Sequence, residues 1–177
     1  MVFPIKGRES QGFAPSSLSV EPTMFAEKDA DGWKRCRPTA FTGYDGKFND
    51  FHPAVDIICP VGTPVVAPAK GKVVGKVSYR VYSPYAYGGK GGYVTGLQVQ
   101  FRYFKDTKTQ RILLVDHLSK ALAVGTVVEA GQPFAWTGNS GISTGPHAHL
   151  EDRHGPADAH WSESGSWFRY NPDRTLR

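Results

Sequence analysis

The stretch that most constrains the fold of this chain alternates strictly between polar and apolar residues: His147-Ala148-His149-Leu150-Glu151. On an extended strand, the two histidines and Glu151 project from one face and the two apolar residues from the other. The imidazoles are then roughly 6.5–7 Å apart along the strand, so one can bind a metal ion while the other acts beside it. A His-X-His pair is also common on strand surfaces, so this stretch alone leaves a functional and a structural interpretation equally open.

The rest of the sequence favours strands over helices. It contains 20 glycines and 13 prolines, and no long stretch has helical periodicity, which favours an all-β or β-rich domain. Leu97–Tyr103 alternates cleanly, and Arg111–Asp116 is predicted to return as its partner strand, ending at His117. The stretch Val61–Gly75 is predicted to form two short strands, joined through Pro68–Gly71 as an antiparallel unit.

Length predicts the domain organisation. With 177 residues, the chain is expected to form one domain that spans residues 1–177 and has its own core. Residues 1–40 are interrupted by seven Pro and Gly residues, so we expect them to be an irregular segment packed on the remainder.

Charge, hydropathy and cysteine count exclude several classes of protein. The formal net charge is +5, but the basic residues are scattered, so we expect no nucleic-acid partner. No apolar run is long enough for a membrane span, and the first twenty residues lack the apolar core of a signal peptide. Cys36 and Cys59 are too few and too far apart for a cysteine zinc site, and either one disulfide or two buried thiols is possible.

A second group of polar residues is the pair His52 and Asp56. Their spacing fits one face of a helix, but Pro53 and the β-branched residues that follow predict a strand. On a straight strand the two side chains are about 13 Å apart, too far for zinc bonds of about 2.0–2.2 Å to join them. Both can bind one ion only if the backbone curls at Pro53-Ala54. The alternative is a loop histidine followed by an aspartate that leads into a buried strand.

Three further histidines and one aromatic segment complete the candidates. His117 stands at a strand end, where a scaffold presents side chains to a cleft, although a lone histidine there is more often structural. His154 and His160 have no partner at a diagnostic spacing and are predicted to be surface residues. Residues 76–93, rich in Tyr and Gly, are predicted to form a loop that is either a substrate wall or the tip of a hairpin.

These features resemble a known family when they are combined. Three nitrogen or oxygen ligands with an open fourth position are typical of a catalytic zinc site, and two further histidines can transfer protons. The chain resembles the lysostaphin-type (LytM-domain) peptidoglycan metalloendopeptidases from about Phe41 to Asn171. The resemblance is carried by motifs in the family's order: His52-X-X-X-Asp56, Gly62-Thr63-Pro64-Val65, His117-Leu118-Ser119 and Gly145-Pro146-His147-Ala148-His149-Leu150-Glu151.

The resemblance implies a compact antiparallel β-sheet whose long loops bound a groove. It implies that His52, Asp56 and His149 bind one Zn²⁺ per chain. It also implies that His117 and His147 are catalytic and flank the metal-bound water. The implied activity is that of a zinc endopeptidase that cuts stem or cross-bridge peptides of bacterial peptidoglycan, in the periplasm or cell wall.

Several properties of such an enzyme follow as expectations. Because no leader is recognised, we expect delivery by phage lysis or tail machinery or by a contact-dependent secretion system. We expect a monomer whose partner is the peptidoglycan peptide, and the sequence leaves any immunity or delivery partner open.

The sequence also departs from the family pattern. Ala54 stands where glycine is typical, Val115-Asp116 stands where a Tyr-Ala pair is common, and Ala148 replaces the usual leucine between the two histidines. These departures leave the specificity open. Two alternative functions are a non-catalytic peptidoglycan-binding or hydrolase-activating module of the same fold, and a zinc-dependent hydrolase of a different peptide.

Overall fold

The computed structural model describes residues 3–11, 24–30, 32–38, 54–162 and 167–176. Strands dominate these residues, with two four-residue helical segments, α1 (Ala86–Gly89) and α2 (Pro172–Thr175). The strands are β1 (Arg8–Gln11), β2 (Met24–Asp29), β3 (Gly32–Pro38), β4 (Val55–Ile58), β5 (Pro64–Val66), β6 (Gly71–Ser83), β7 (Gly92–Lys105), β8 (Thr109–Asp116), β9 (Leu118–Ala121), β10 (Val127–Val128), β11 (Pro133–Thr137), β12 (His147–Pro156) and β13 (Phe168–Tyr170).

The strands form a ten-stranded sheet and a three-stranded sheet. The large sheet runs in the order β10-β6-β7-β8-β12-β13-β3-β2, and β4 pairs with the first half of β12 and with β1. The small sheet has the order β5-β11-β9. All of these pairings are antiparallel, so the predicted β-rich antiparallel fold is confirmed.

Hydrophobic pattern explains why β8 and β12 lie at the centre. The run Ile112–Val115 is buried on both faces of β8, as expected of a strand that is covered on both sides. In β12, Ala148 and Leu150 are fully buried while His147 and His149 remain partly exposed, so the predicted alternation is confirmed. The core faces one side of this strand and leaves its histidines on the other.

One aromatic pair joins the two sheets across the core. Phe101 of β7 stacks on Phe134 of β11 with ring centroids 4.4 Å apart and an interplanar angle of 21°, and both side chains are fully buried. Stacked aromatic rings at this distance combine a large buried apolar area with a favourable ring geometry. This contact packs the small sheet against β7 of the large sheet.

The prediction that residues 1–40 are irregular was wrong for the residues that the structure describes. Three strands lie there: β1 pairs with β4, and β2 and β3 extend the edge beyond β13. The Pro and Gly residues of this segment that the structure describes stand at or outside strand ends. Gly7 precedes β1, Gly32 begins β3 and Pro38 ends it, positions at which these residues are compatible with sheet structure.

Two further local predictions need correction. β5 and β6 do not pair with each other, because β5 pairs with β11 while β6 lies between β10 and β7. Residues 76–93 are a long hairpin rather than a loop: β6 continues to Ser83, β7 begins at Gly92, and α1 caps the turn. These strand ends were not predicted because small and aromatic residues are mixed there.

Two remaining predictions concern cysteine and the membrane. Cys59 is buried and free of any disulfide, and burial raises the pKa of its thiol. The side chain of Cys36 lies outside the described residues. Within the described part of the chain, no helix is both long and apolar enough to cross a membrane.

Candidate metal centre and flanking histidines

Strand pairing brings the predicted site residues together on one face. β12 lies between β4 and β8, so His149 stands directly opposite Asp56 on one side and opposite Asp116 on the other. Asp56 points to the histidine face because its neighbours Val55 and Ile57 are buried in the core. His117 follows β8 directly and therefore reaches the same face from the opposite side.

Asp56 and His149 form the centre of this arrangement. Nδ1 of His149 lies 3.0 Å from Oδ1 of Asp56, and Nε2 of His147 lies 3.8 Å from Oδ2 of the same carboxylate. Two ligands of a tetrahedral zinc ion with bonds of 2.0–2.1 Å are about 3.3 Å apart. The Asp56 and His149 atoms therefore fit two positions around one ion.

The third predicted ligand, His52, lies outside the described residues. Among the residues that are described, no group of three His, Cys, Asp or Glu side chains is arranged to hold a metal ion. The chain from Ala54 onward thus contributes two adjacent donor atoms, and the predicted set of three depends on His52. Ala54 itself is fully buried, so its methyl group is accommodated at the start of β4.

A buried carboxylate, Glu151, lies beside His149 on the Nε2 side of its ring. Oε1 of Glu151 lies 3.4 Å from Nε2 of His149, and its other oxygen accepts a 2.7 Å hydrogen bond from Nε of Arg153. Burial alone would lower the pKa of His149, but hydrogen bonds and negative charge from Asp56 and Glu151 raise it to about 10. Glu151 is only 8% exposed, so the carboxylate is held in place to orient the ring.

His117 and His147 are fixed as matching tautomers. Nδ1 of His117 lies 2.8 Å from the carbonyl oxygen of Ser140, and Nδ1 of His147 lies 2.8 Å from that of Gly145. A carbonyl can only accept, so each Nδ1 carries the hydrogen and each neutral ring leaves Nε2 with a lone pair. The ring centroids are 4.5 Å apart, and burial lowers the pKa of His117. The two rings thus present basic nitrogens side by side.

The other two histidines do not join this group. His160 is exposed and contacts Ser162, with its Nδ1 2.7 Å from the hydroxyl oxygen, so its prediction as a surface residue is confirmed. His154 is not a free surface residue: its Nε2 lies 2.8 Å from Oδ2 of buried Asp152, and its ring stacks on Tyr170. The period of β12 places both members of this pair on the face away from His149.

The aromatic hairpin reaches the site through one residue. The hydroxyl of Tyr79 donates to the Asp116 carboxylate at 2.9 Å. Tyr82, Tyr85, Tyr87 and Tyr93 are instead more than half exposed. The interpretation as a hairpin tip is therefore confirmed, and the interpretation as a substrate wall stays a prediction.

Sequence reasoning missed the roles of four supporting groups. It placed Glu151 on the histidine face without a role, and continuation of the alternation to Arg153 could have indicated the supporting ion pair. It noted Asp116 only as a departure from the family pattern, and it did not find the carbonyl groups of Ser140 and Gly145. Backbone carbonyls carry no signal in the sequence, because every residue has one.

Comparison with known sequences matches a large part of the chain. A family profile described as Peptidase family M23 matches residues 50–160. A Haemophilus influenzae protein named an uncharacterized metalloprotease is 42% identical over 101 residues, which are 56% of this chain and 18% of that protein. The DD-carboxypeptidase/endopeptidase Mpg of Neisseria meningitidis serogroup B is 30% identical over 136 residues, which are 77% of this chain and 26% of Mpg. The match therefore spans about a fifth to a quarter of these relatives.

Comparison of structures concerns the fold. The structure of the antimicrobial peptidase lysostaphin from Staphylococcus simulans superposes with a TM-score of 0.51 at 22% identity. The superposition covers 99% of this chain and 54% of lysostaphin. At this identity the likeness establishes a shared β-sheet architecture.

Proposed function

Because the chain belongs to peptidase family M23, we propose that it is a zinc endopeptidase that hydrolyses stem or cross-bridge peptides of bacterial peptidoglycan. The observation that carries this proposal is the convergence of Asp56, His149, His117 and His147 on one face of the sheet. Two relatives support an endopeptidase activity by name: Mpg is a DD-carboxypeptidase/endopeptidase, and ALE-1 of Staphylococcus capitis is a glycyl-glycine endopeptidase.

In this proposal, His52, Asp56 and His149 hold the zinc ion. A carboxylate and imidazole nitrogens are ligands that zinc prefers, and three protein ligands leave one position open. Nδ1 of His149 is the coordinating nitrogen, because it faces Asp56 while Nε2 faces Glu151. When bound, zinc supplies Lewis-acid polarisation of the scissile carbonyl and activation of a water molecule.

His117 and His147 move the protons. Each ring presents an unprotonated Nε2, because each Nδ1 donates to a backbone carbonyl. Such a nitrogen can accept a proton from the attacking water, and the resulting imidazolium can pass it to the amine nitrogen that leaves. With ring centroids 4.5 Å apart, the two histidines can contact one substrate peptide from neighbouring positions.

The remaining expectations form part of the same proposal. The chain acts as a monomeric catalytic domain on wall peptides outside the cytoplasm. The hairpin that carries Tyr79 borders the site on the side of Asp116 and forms one wall of the substrate groove.

The test combines zinc content with cleavage of purified peptidoglycan. We expect about one zinc per chain and release of new amino termini that stops when a chelator removes the metal. Asp56→Ala should lose both properties, while His160→Ala, a change at an exposed position, should keep both. Zinc without cleavage of peptidoglycan, together with cleavage of another peptide, would assign a different substrate. Failure to bind zinc or to cleave would favour a non-catalytic module.

A further inference from the structure

Asp116 lies beside the histidines, and its carboxylate accepts hydrogen bonds from three donors. The Tyr79 hydroxyl lies 2.9 Å from both of its oxygens, and Nε2 of Gln98 donates to Oδ2 at 3.2 Å. The backbone N–H of His117 donates to Oδ1 at 2.7 Å. All partners are donors, and an ionised carboxylate offers about four acceptor sites. The side chain is therefore fixed from three directions.

The backbone that Asp116 holds has an unusual conformation. His117 has a φ angle of 62°, in the left-handed region that residues with a Cβ atom rarely adopt. This conformation ends β8 and turns the imidazole toward Ser140, whose carbonyl accepts from Nδ1. The N–H group that donates to Asp116 belongs to the peptide between Asp116 and His117. This 2.7 Å hydrogen bond therefore stabilises the turn that directs the His117 ring.

Tyr79 connects this turn to the loop that carries Ser140. Its ring lies against Gly96, and a Cβ atom on Gly141 would come within 2.6 Å of its hydroxyl oxygen. The same loop is fastened to β7 by two hydrogen bonds, from Gly141 N to Thr95 O at 3.0 Å and from Leu97 N to the Ser140 hydroxyl at 3.1 Å. Tyr79 therefore contacts both Asp116 and Gly141, the residue that follows Ser140.

We propose that Asp116, held by Tyr79 and Gln98, is a positioning residue that fixes the left-handed backbone and the ring tautomer of His117 for proton transfer. The inference rests on the proposed function in giving His117 a part in the reaction. Asp116 itself does not touch the reacting atoms. Its effect reaches the chemistry through the direction in which Nε2 of His117 points, and misplacement of a reacting group by about 1 Å can reduce a rate by about 10²-fold.

Kinetic tests use three variants of the zinc-loaded chain. Asp116→Ala should lower kcat by about 10²-fold while leaving KM and zinc content near wild type. Asp116→Asn should restore much of kcat, because its carbonyl oxygen can still accept from the His117 N–H. Tyr79→Phe keeps the ring against the glycines and removes only the hydroxyl, so we expect a drop of about 10-fold. Wild-type kcat in both Asp116→Ala and Tyr79→Phe would overturn the proposal.

A second measurement does not depend on activity. Nitrogen-15 NMR of the imidazoles, with the His117 signals assigned from a His117→Ala spectrum, reports which nitrogen carries the hydrogen. We expect the Nδ1–H form in the wild type and in Asp116→Asn, and a mixture of forms in Asp116→Ala. If the wild type fails to cleave peptidoglycan but this pattern holds, the proposed function fails and the positioning role stands. An active wild type whose His117 signals are unchanged in Asp116→Ala would refute the positioning role alone.

Discussion

Two clusters of histidine and carboxylate groups lie on opposite faces of the same strand, β12. The groove cluster consists of Asp56, His147, His149 and Glu151, with His117 beside it. The buried cluster consists of Tyr103, Asp152 and His154. Along β12, odd-numbered residues from 147 to 153 face the groove and even-numbered residues face away. A shift of one position in the strand therefore separates the β12 residues of one cluster from those of the other.

The clusters differ in what their histidine ring nitrogens face. In the buried cluster, Asp152 is fully buried and accepts from the Tyr103 hydroxyl at 2.6 Å and from Nε2 of His154 at 2.8 Å. In the groove cluster, Nδ1 of His117 and of His147 is engaged, but no described residue donates a hydrogen bond to Nε2 of either ring. The groove cluster thus presents two neighbouring Nε2 atoms to a ligand, whereas the buried cluster has a single histidine that is held against Asp152 and Tyr170.

The sharpest test of this comparison replaces one histidine from each cluster. His149→Ala should abolish metal binding, because it removes the proposed ligand next to Asp56. His154→Ala should keep the metal and lose only stability, because its ring packs on Tyr170 and bonds Asp152. Metal analysis of both purified variants decides the matter. Full metal content in His149→Ala would show that the groove cluster is not the metal centre.

Within the groove cluster, the next test separates metal binding from proton transfer. His117→Ala should retain zinc and lose about 10²–10⁴-fold in turnover, the usual contribution of a positioned acid or base. The expected result requires normal metal content and a folded chain by circular dichroism. Wild-type turnover would remove His117 from the catalytic assignment and leave His147 as the group that moves protons.

Much of the groove cluster could be predicted from the sequence, and the reason is local. The alternation in β12 fixes which side chains share a face, so the side-by-side position of His147 and His149 needed no tertiary information. The order of the motifs predicted the family correctly, and with it the antiparallel sheet. The roles of the five predicted residues remain proposals.

What could not be predicted depends on contacts between distant segments. The hydrogen bond from Tyr79 to Asp116 joins residues that are 37 positions apart in the sequence. The left-handed backbone of His117 could not be predicted either, because a residue with a Cβ atom does not indicate that conformation. The partners of β5 and β6 were predicted wrongly because proximity in the chain does not decide which sheet a short strand joins. His154 was predicted to be a surface residue because the sequence showed no partner at a diagnostic spacing, and its contacts with Asp152 and Tyr170 are seen only in the structure.

Replacement of Glu151, the carboxylate that supports His149, tests the comparison by its effect on metal affinity. Glu151→Gln should weaken metal binding by about 10–100-fold, the usual effect of losing a partner that orients a histidine ligand. Competition with a chromophoric chelator measures this change without any substrate. Glu129→Gln is the matched control, because Glu129 forms an exposed ion pair with Lys70 outside both clusters. Equal affinities in the two variants would contradict the supporting role of Glu151.

The smallest expected effect belongs to the buried cluster. Tyr103→Phe removes the hydroxyl that donates to Asp152, and we expect it to lower the free energy of unfolding by about 1.5 kcal/mol without altering metal affinity. Urea unfolding measures the loss, with Tyr85→Phe at an exposed site as the control. A loss of metal affinity in Tyr103→Phe would show that the two faces of β12 are coupled rather than separate.

The same variant changes how stability depends on pH. Burial, then the charge of Asp152 and the hydrogen bond to it, raise the pKa of Tyr103 above its usual value of about 10. The folded chain therefore retains this proton more tightly than the unfolded chain. The contribution of the Tyr103 hydroxyl to the free energy of unfolding is fully present below about pH 10 and declines as the pH rises further. Above about pH 10, the free energy of unfolding should consequently fall less steeply with pH in Tyr103→Phe than in Tyr85→Phe. Parallel curves for the two variants would mean that the buried hydroxyl does not hold its proton through Asp152.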